Sequence, residues 1–135
     1  MYANPLHPGH IDCLRLTKQI ADQVWVIVNN DNQAELKRGV KSFQDEVYRK
    51  TVVDSLKYVD KTYIAVDEDS TVCKTIKLLH DIIRQENSTA EIIFTKGGDR
   101  FASEIPEAEV CRDLGIRIVD GLGEKTHNSS KILNL

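Results

Sequence analysis

Two histidines three residues apart, His7 and His10, stand near the start of the sequence and flank a Pro-Gly step. Pro8 favours the first position of a helix, because it has no N–H to satisfy and its φ is already near the helical value. His7 is therefore expected at the cap and His10 in the first turn, on one face. A helix N-terminus attracts anions, and Gly9 leaves room for close approach. The pattern predicts a phosphate site; a pair of solvated capping histidines is the plainer interpretation.

Three further segments carry groups suited to a phosphate or a nucleotide. A basic segment with little periodicity contains Lys37 and Lys41 and is predicted to be a mobile loop. The run Gly97-Gly98-Asp99 follows a predicted strand, and Ser129-Ser130 opens a predicted C-terminal helix with good cap residues. Taken singly, these segments have plainer explanations, namely a solvated turn, a glycine turn and an ordinary cap.

The bulk composition is that of one globular domain, predicted to span residues 1–135. Hydrophobic residues make up 41% and charged residues 29% of the chain, so a disordered chain is excluded. A net charge of −3 argues against broad binding of nucleic acid or of a membrane surface, and no apolar run approaches the ~20 residues of a membrane span. Cysteines at 13, 73 and 111 lack zinc-ligand spacing, which indicates reduced thiols of a cytoplasmic protein.

Helical and strand periodicities alternate along the chain. In the second predicted helix, Phe43 and Val47 are expected to face the core. The predicted helices are 8–22, 43–59, 67–86, 106–114 and one that begins at 129, and the predicted strands are 24–28, 63–66, 91–95 and 116–119. This alternation is typical of an α/β fold. We predict a Rossmann-like, doubly wound parallel sheet of about five strands with helices on both faces.

The strand that should open such a fold is largely missing from this sequence. Only residues 1–3 precede the histidine motif, and three residues cannot form an ordinary strand of five or six. Three explanations remain open: the chain is truncated, its true start lies upstream, or a partner covers the exposed sheet edge. An exposed edge also favours a homodimer.

The four chemical segments are expected to meet at one side of this sheet. In open parallel sheets, ligands bind beyond the carboxyl ends of the strands. The histidine motif, the basic loop, the Gly-Gly-Asp run and the serine pair all fall on that side of the predicted fold. Together they offer cations, hydroxyl groups, helix ends and a carboxylate, which suit a nucleoside triphosphate with a metal ion.

Several of these segments resemble those of the cytidylyltransferase-like nucleotidyltransferases. Residues 4–10 look like the H-x-G-H signature, residues 128–132 resemble the second signature at the final helix, and residues 58–60 resemble a Y-V-D step. The run at 96–99 is most similar to the K-G-G-D of heptose 1-phosphate adenylyltransferase domains, and glycerol 3-phosphate cytidylyltransferase is a more distant look-alike. The G-x-F that usually precedes the first signature is reduced to Tyr2 and Ala3 in this sequence. In the second signature, Asn128 replaces the usual serine.

The resemblance implies transfer of AMP or CMP from ATP or CTP to a phosphorylated sugar or polyol, with release of pyrophosphate. The implied catalytic residues are His7 and His10, at the α-phosphate and the departing oxygen, and Lys41, with Lys37 as second choice. Mg²⁺ is the implied cofactor, held chiefly by substrate oxygens, so that no protein metal ligand is assigned. The implied nucleotide-binding residues are Asn4, Pro8, Gly9, Lys37, Gly97, Gly98, Asp99, Asn128, Ser129 and Ser130.

Two other functions remain open from the sequence. A non-catalytic nucleotide-binding domain of the same fold, used for regulation or assembly, would bind ATP or CTP without turnover. A dinucleotide-binding domain is disfavoured, because the glycines at 121 and 123 lack a third partner and follow the last strand instead of the first. Arg49, on the second predicted helix, is explained equally well by the family pattern and by a surface pair with Asp45 or Glu46.

Overall fold

Helices and parallel strands alternate in the computed structural model, which describes residues 1–97 and 105–122. In chain order the elements are α1 (Pro8–Ile20), β1 (Trp25–Val28), α2 (Asp31–Arg38), α3 (Glu46–Asp54), β2 (Lys61–Ile64), α4 (Cys73–Glu86), β3 (Ile93–Gly97), α5 (Glu107–Leu114) and β4 (Arg117–Leu122). The predicted α/β class with parallel strands is therefore confirmed.

The described strands form two separate parallel pairs. β1 pairs with β2, with Trp25 opposite Lys61, and β3 pairs with β4, with Ile93 opposite Arg117 and an irregular register after Thr95. The prediction of about five strands in one sheet is thus corrected for the described residues: they contain four strands in two sheets. Among the described residues, no hydrogen bond between strands joins one pair to the other.

Met1 lies beside the edge of β1 that faces away from β2. Its amino group donates a hydrogen bond to the carbonyl oxygen of Ile27 at 2.8 Å, and its own carbonyl accepts one from the amide of Asn29 at 3.0 Å. In a parallel ladder, a residue forms hydrogen bonds to the two residues that flank its partner on the neighbouring strand. Met1 is therefore aligned with β1 as in a parallel strand.

The core is divided in the same way as the sheet. One cluster packs α1 and α3 against β1 and contains the fully buried Val28 and Val53, whereas the other packs α4 and α5 against the second strand pair around Cys111 and Ile116. α1 reaches across to the second pair, where the hydroxyl groups of Thr17 and Thr95 are hydrogen-bonded at 3.1 Å. The molecule thus consists of two packed halves bridged by helices.

The segment predicted as a mobile basic loop is partly helical. α2 begins at a reciprocal cap, in which Asn30 accepts from the amide of Gln33 and Gln33 accepts from the amide of Asn30, and it ends at Gly39 with φ of 75°. The loop is therefore short, and α3 begins at Glu46 instead of residue 43. Phe43 therefore precedes α3. The side chains of Phe43 and Val47, both predicted to face the core, are 99% and 62% exposed.

Two other boundaries differ from the predicted ones. α4 begins at Cys73, because the buried carboxylate of Asp67 accepts the amide hydrogens of Lys74 and Thr75 and holds residues 67–72 as a capping loop. β2 spans Lys61–Ile64 instead of 63–66, because its register is set by pairing with β1. The hydrophobic pattern alone does not reveal either contact.

Candidate active site

The two histidines of the motif cap α1 and stack on each other. His7 is the N-cap and Pro8 the first helical residue, as predicted, and the rings lie 3.8 Å apart between centroids at 28°. The Nδ1 of His7 accepts the amide of Gly9 at 3.0 Å, while the Nδ1 of His10 accepts the amide of His7 at 3.1 Å. The amide groups at this helix end are therefore already used by the motif itself.

This hydrogen bonding fixes the chemistry of the rings. Because each Nδ1 is an acceptor, a neutral ring carries its hydrogen on Nε2, which forms no hydrogen bond to the rest of the described chain. Burial, followed by the nearby His7 ring, the N-terminal amino group and Lys37, lowers the pKa of His10 to about 4. At neutral pH, His10 therefore offers an uncharged N–H donor from a half-buried position.

The loop before the histidines is tied to the segment between α2 and α3. The buried Asn4 side chain donates to the hydroxyl of Ser42 at 2.8 Å, and the carbonyl of Asn4 accepts from the guanidinium of Arg38 at 2.7 Å. Ser42 in turn donates to the carbonyl of Gln44 at 2.5 Å. Asn4, a predicted binding residue, thus connects the motif to the basic segment; sequence spacing gave no signal for its Arg38 and Ser42 partners.

Two lysines line the cleft that begins at the histidines. Lys37, on α2, holds its ammonium group 4.3 Å from the centre of the Tyr2 ring, and Lys96, near the end of β3, also lines the cleft. Lys41, the first choice from sequence, is exposed and does not belong to the described cleft lining. The structure thus brings Lys37, the second choice, closer to the histidines.

Arg49 holds three chain segments around this site. Its buried guanidinium donates to the carbonyls of Tyr2, Asn29 and Gln44 at 2.7–3.0 Å and forms an ion pair with Asp31 at 3.0 Å. The surface pair with Asp45 or Glu46 is therefore wrong. Arg49 is a positioning residue, since it fixes the start of the motif loop and the ends of β1 and the basic segment without touching the histidines.

Several predicted residues lie outside the described part of the chain. Gly97 ends β3 and pairs with Leu122, so the glycine run begins where a strand ends, as expected. The residues beyond the described ranges are Gly98, Asp99, Asn128, Ser129 and Ser130, and their predicted roles stay predictions. The second phosphate-binding helix end predicted from the sequence is among them.

No acidic or thiol cluster accompanies the histidines in residues 1–97 and 105–122. Within these ranges, no group of three or more His, Cys, Asp or Glu side chains could hold a metal ion. The lining of the cleft includes the imidazoles of His7 and His10 and the ammonium groups of Lys37 and Lys96, which suit phosphate oxygens. Over the same ranges, no helix has the length and apolar character needed to cross a membrane.

The profile of the family described as cytidylyltransferase-like matches residues 3–119, which include the histidine motif and all nine described helices and strands except the end of β4. The chain belongs to this family. This membership confirms the predicted family and the predicted enzyme class, a nucleotidyltransferase. A Rossmann-like fold for this nucleotidyltransferase follows from the same membership.

Known relatives fall into two groups. The chain is 37% identical to FAD synthase of Archaeoglobus fulgidus, in an alignment that covers 58% of this chain and 55% of that protein. It is 32% identical to FAD synthase of Picrophilus torridus, in an alignment that covers 82% of this chain and 70% of that protein. It is 32% identical to the bifunctional protein HldE of Histophilus somni over 74% of its own length but only 19% of that protein. The alignments with the Archaeoglobus fulgidus and Histophilus somni proteins thus leave much of those proteins' length uncovered.

A solved structure supports the fold. The lipopolysaccharide core biosynthesis protein from Thermoplasma volcanium superposes with a TM-score of 0.66 at 26% identity, and the match covers 89% of each chain. The similarity extends over both halves of the described molecule. The arrangement of helices and parallel strands described above is therefore that of a known structure.

Proposed function

We propose that this nucleotidyltransferase transfers the adenylyl group of ATP to a phosphate oxygen of a small acceptor, either FMN or heptose 1-phosphate, and releases pyrophosphate. The observation that carries the proposal is the stacked His7 and His10 pair at the start of α1, next to Lys37. The similarity to FAD synthases and to HldE favours ATP over CTP.

In this reaction an acceptor phosphate oxygen attacks the α-phosphorus of ATP, and the bond to the bridging oxygen breaks as pyrophosphate departs. Such transfers need positioning and charge stabilisation more than covalent chemistry. The Nε2–H groups of His7 and His10 are the proposed donors to the α-phosphate and the bridging oxygen. Lys37, which faces the same cleft, would neutralise the leaving phosphates, with Lys41 in a supporting role.

The remaining predicted residues keep proposed roles in substrate binding. Asn4 would hold the motif loop against the basic segment, a role that its bond to Ser42 supports. Pro8 and Gly9 would shape the phosphate side of the cleft. The residues with proposed contacts to the ribose, the acceptor and the β- and γ-phosphates are Gly97, Gly98, Asp99, Asn128, Ser129 and Ser130.

Mg²⁺ fits this proposal as a companion of the triphosphate. The described cleft supplies imidazole and ammonium groups instead of a carboxylate cluster, so the ion would be held mainly through phosphate oxygens. When bound, it would neutralise charge on the triphosphate. His7, His10 and Lys37 would then contact the oxygens that the ion leaves free.

The decisive experiment measures pyrophosphate release with ATP or CTP and with FMN, heptose 1-phosphate or glycerol 3-phosphate as acceptor. We expect turnover with ATP and one of the first two acceptors. Turnover with CTP and glycerol 3-phosphate alone would contradict the proposed nucleotide and acceptor. Binding of ATP without turnover with any acceptor would favour the non-catalytic nucleotide-binding domain.

Two variants of His10 separate its cap role from its proposed role as a donor. In His10→Asn the side-chain oxygen can replace Nδ1 as the acceptor of the cap, whereas in His10→Gln the amide nitrogen can replace the Nε2–H donor. We expect His10→Asn to lose about 10²- to 10³-fold in kcat and His10→Gln to keep more activity. His80→Ala is the matched control, since this histidine lies on α4 away from the cleft. Equal activity of His10→Asn and the natural protein would exclude the donor role.

A further inference from the structure

Lys96, near the end of β3, is a half-buried cation on the lining of the cleft, and the proposed nucleotidyl transfer assigns no contact to it. Within residues 1–97 and 105–122, no carboxylate forms an ion pair with its ammonium group. A lysine that loses part of its hydration is normally paired with an anion. The place of Lys96 therefore points to an anion that a ligand supplies.

The backbone that carries Lys96 is fixed against α1. The hydroxyl of the neighbouring Thr95 is hydrogen-bonded to that of Thr17 at 3.1 Å, and the Thr17 hydroxyl also donates to the carbonyl of Cys13 at 2.8 Å. β3 is in addition paired in parallel with β4, where Thr95 lies opposite Val119. The base of the Lys96 side chain is thus held beside the helix that begins at the histidines, and its stem is free to adjust to a ligand.

The charge of Lys96 acts on α1 about one turn beyond the histidines. Burial raises the pKa of the Cys13 thiol, whereas its hydrogen bond with Thr17 and the nearby charge of Lys96 lower it. Cys13 follows His10 by three residues and shares its face of α1. The pKa of His10 is lowered by burial first and then by charges that include Lys37. The two lysines thus act on neighbouring turns of one helix, where they can neutralise two different phosphate groups.

The proposed reaction brings two anionic phosphates together. An oxygen of the acceptor phosphate must approach the α-phosphorus of ATP, and the two negatively charged groups repel each other unless cations lie beside both. The histidine pair and Lys37 are proposed to contact the phosphates of ATP. Of the other lysines on the described lining, Lys18 is paired with Asp60 at 2.9 Å, so Lys96 is left for the acceptor.

We propose that Lys96 binds the phosphate monoester of the acceptor, the group that FMN and heptose 1-phosphate share, and so selects phosphorylated over unphosphorylated acceptors. This inference rests on the proposed nucleotidyl transfer. One oxygen of the monoester forms the new bond to the α-phosphorus, while the bond to the bridging oxygen breaks and pyrophosphate leaves. Lys96 keeps its proton throughout and neutralises the acceptor phosphate. It is therefore a substrate-binding residue and not an acid or a base of the reaction.

The test combines loss of the lysine charge with loss of the acceptor phosphate. Equilibrium binding is measured for FMN and for riboflavin, which is FMN without its phosphate, and for heptose 1-phosphate and heptose. For the pair whose phosphorylated member the natural protein binds, we expect Lys96→Met to weaken binding of that member about tenfold or more and to leave the other unchanged. Lys96→Arg keeps the charge and should restore most of the affinity. Lys77→Met is the matched control, because this exposed lysine lies on α4 and outside the described lining.

Steady-state kinetics separates the acceptor from ATP. Lys96→Met should raise the KM for the acceptor about tenfold or more and change the KM for ATP by less than about twofold. An unchanged KM for the acceptor, or a larger rise of the KM for ATP, would overturn the role of Lys96 and leave the transfer standing. Equal weakening of both members of a ligand pair would overturn recognition of the phosphate.

The binding measurements also distinguish this inference from the proposed function. Binding that depends on the phosphate and on Lys96, without release of pyrophosphate, would overturn the nucleotidyl transfer and keep Lys96 as a phosphate-binding residue. Failure of the natural protein to bind either FMN or heptose 1-phosphate would overturn both.

Discussion

At the scale of single residues, the histidine pair serves two purposes. The Nδ1 atoms close the start of α1, and this leaves the Nε2–H groups of His7 and His10 for a ligand. Since the cap fixes both rings, the donors are preorganised before a substrate arrives, which is the condition under which hydrogen bonds to developing charge are most effective. A neutral His10 also avoids a half-buried positive charge near Lys37.

The low pKa of His10 predicts a dependence of stability on pH. In the unfolded chain this histidine binds a proton below about pH 6.5, whereas in the folded protein it resists protonation until about pH 4. The unfolded state therefore takes up protons first, and the free energy of unfolding falls as the pH is lowered across this window. Between about pH 7.5 and about pH 5, we expect a contribution of about 1 kcal/mol from this half-exposed group.

Urea unfolding of the natural protein and of His10→Asn at the two pH values measures this contribution. The amino group of Met1 also has a lowered pKa and acts in the same direction in both proteins, so only the difference between them reports on His10. The loss of stability at the lower pH should be smaller in His10→Asn. An equal loss in the two proteins would show that the His10 ring is not protected from protonation.

At the scale of elements, Arg49 joins α3 to segments that are distant in sequence. Replacement by methionine keeps much of its apolar volume but leaves the carbonyls of Tyr2 and Asn29 without their donor. We expect Arg49→Met to lower the free energy of unfolding by about 3 kcal/mol or more. Lys50→Met, on the next residue of α3, is the control and should change it by less than about 0.5 kcal/mol. Similar values for the two variants in chemical denaturation would contradict a holding role for Arg49.

The bond between Asn4 and Ser42 predicts coupling between the motif loop and the basic segment. Asn4→Ala and Ser42→Ala should each raise the KM for ATP, because each frees the loop that positions His7. Since both remove the same hydrogen bond, the double variant should be less impaired than the sum, with a coupling energy of about 1 kcal/mol. Steady-state kinetics of the four proteins measures this energy. Strict additivity would indicate that the two residues act independently.

The elements differ in how much of them is predictable from sequence. The period of α4 and the β-branched run of β1 are local signals, and both were predicted within a few residues apart from the start of α4. α2 was missed because it is polar, and its stability depends on caps and on the buried Gln33, which donates to the carbonyls of Asp69 and Thr71. The burial of Arg49 was also missed, because its acceptors come from segments far apart in the sequence.

The histidine site shows the same division. Pro8 and the spacing of His7 and His10 determine the cap locally, so the cap was correctly predicted. The mutual use of the Nδ1 atoms depends on ring rotamers, which a sequence pattern does not specify. Lys37 lines the cleft and Lys41 does not, and this difference depends on where α2 ends. The sequence did not predict that boundary.

At the scale of the whole molecule, the two hydrophobic clusters are built mainly on different strand pairs. The cluster around Val53 contains mainly residues of α1, β1 and α3, and the cluster around Ile116 joins α4, α5 and β3. In a continuous parallel sheet, hydrogen bonds across every strand would couple such clusters. Here α1, the side chain of Ile27 and the bond between Thr17 and Thr95 provide the described links. The two halves are therefore expected to open as separate cooperative units.

A pair of core substitutions tests this separation. Val53→Ala and Ile116→Ala each remove buried methyl groups, one in each cluster, and each should cost its own half about 2 kcal/mol or more. Native-state hydrogen exchange should then show faster exchange of Val26 and Val28 in the first variant and of Phe94 and Val119, whose amides face each other's strand, in the second. If both variants accelerate all four amides equally, the molecule unfolds as one unit. Because the two strand pairs share no hydrogen bond among the described residues, we expect each effect to stay mainly within the strand pair that carries the substitution.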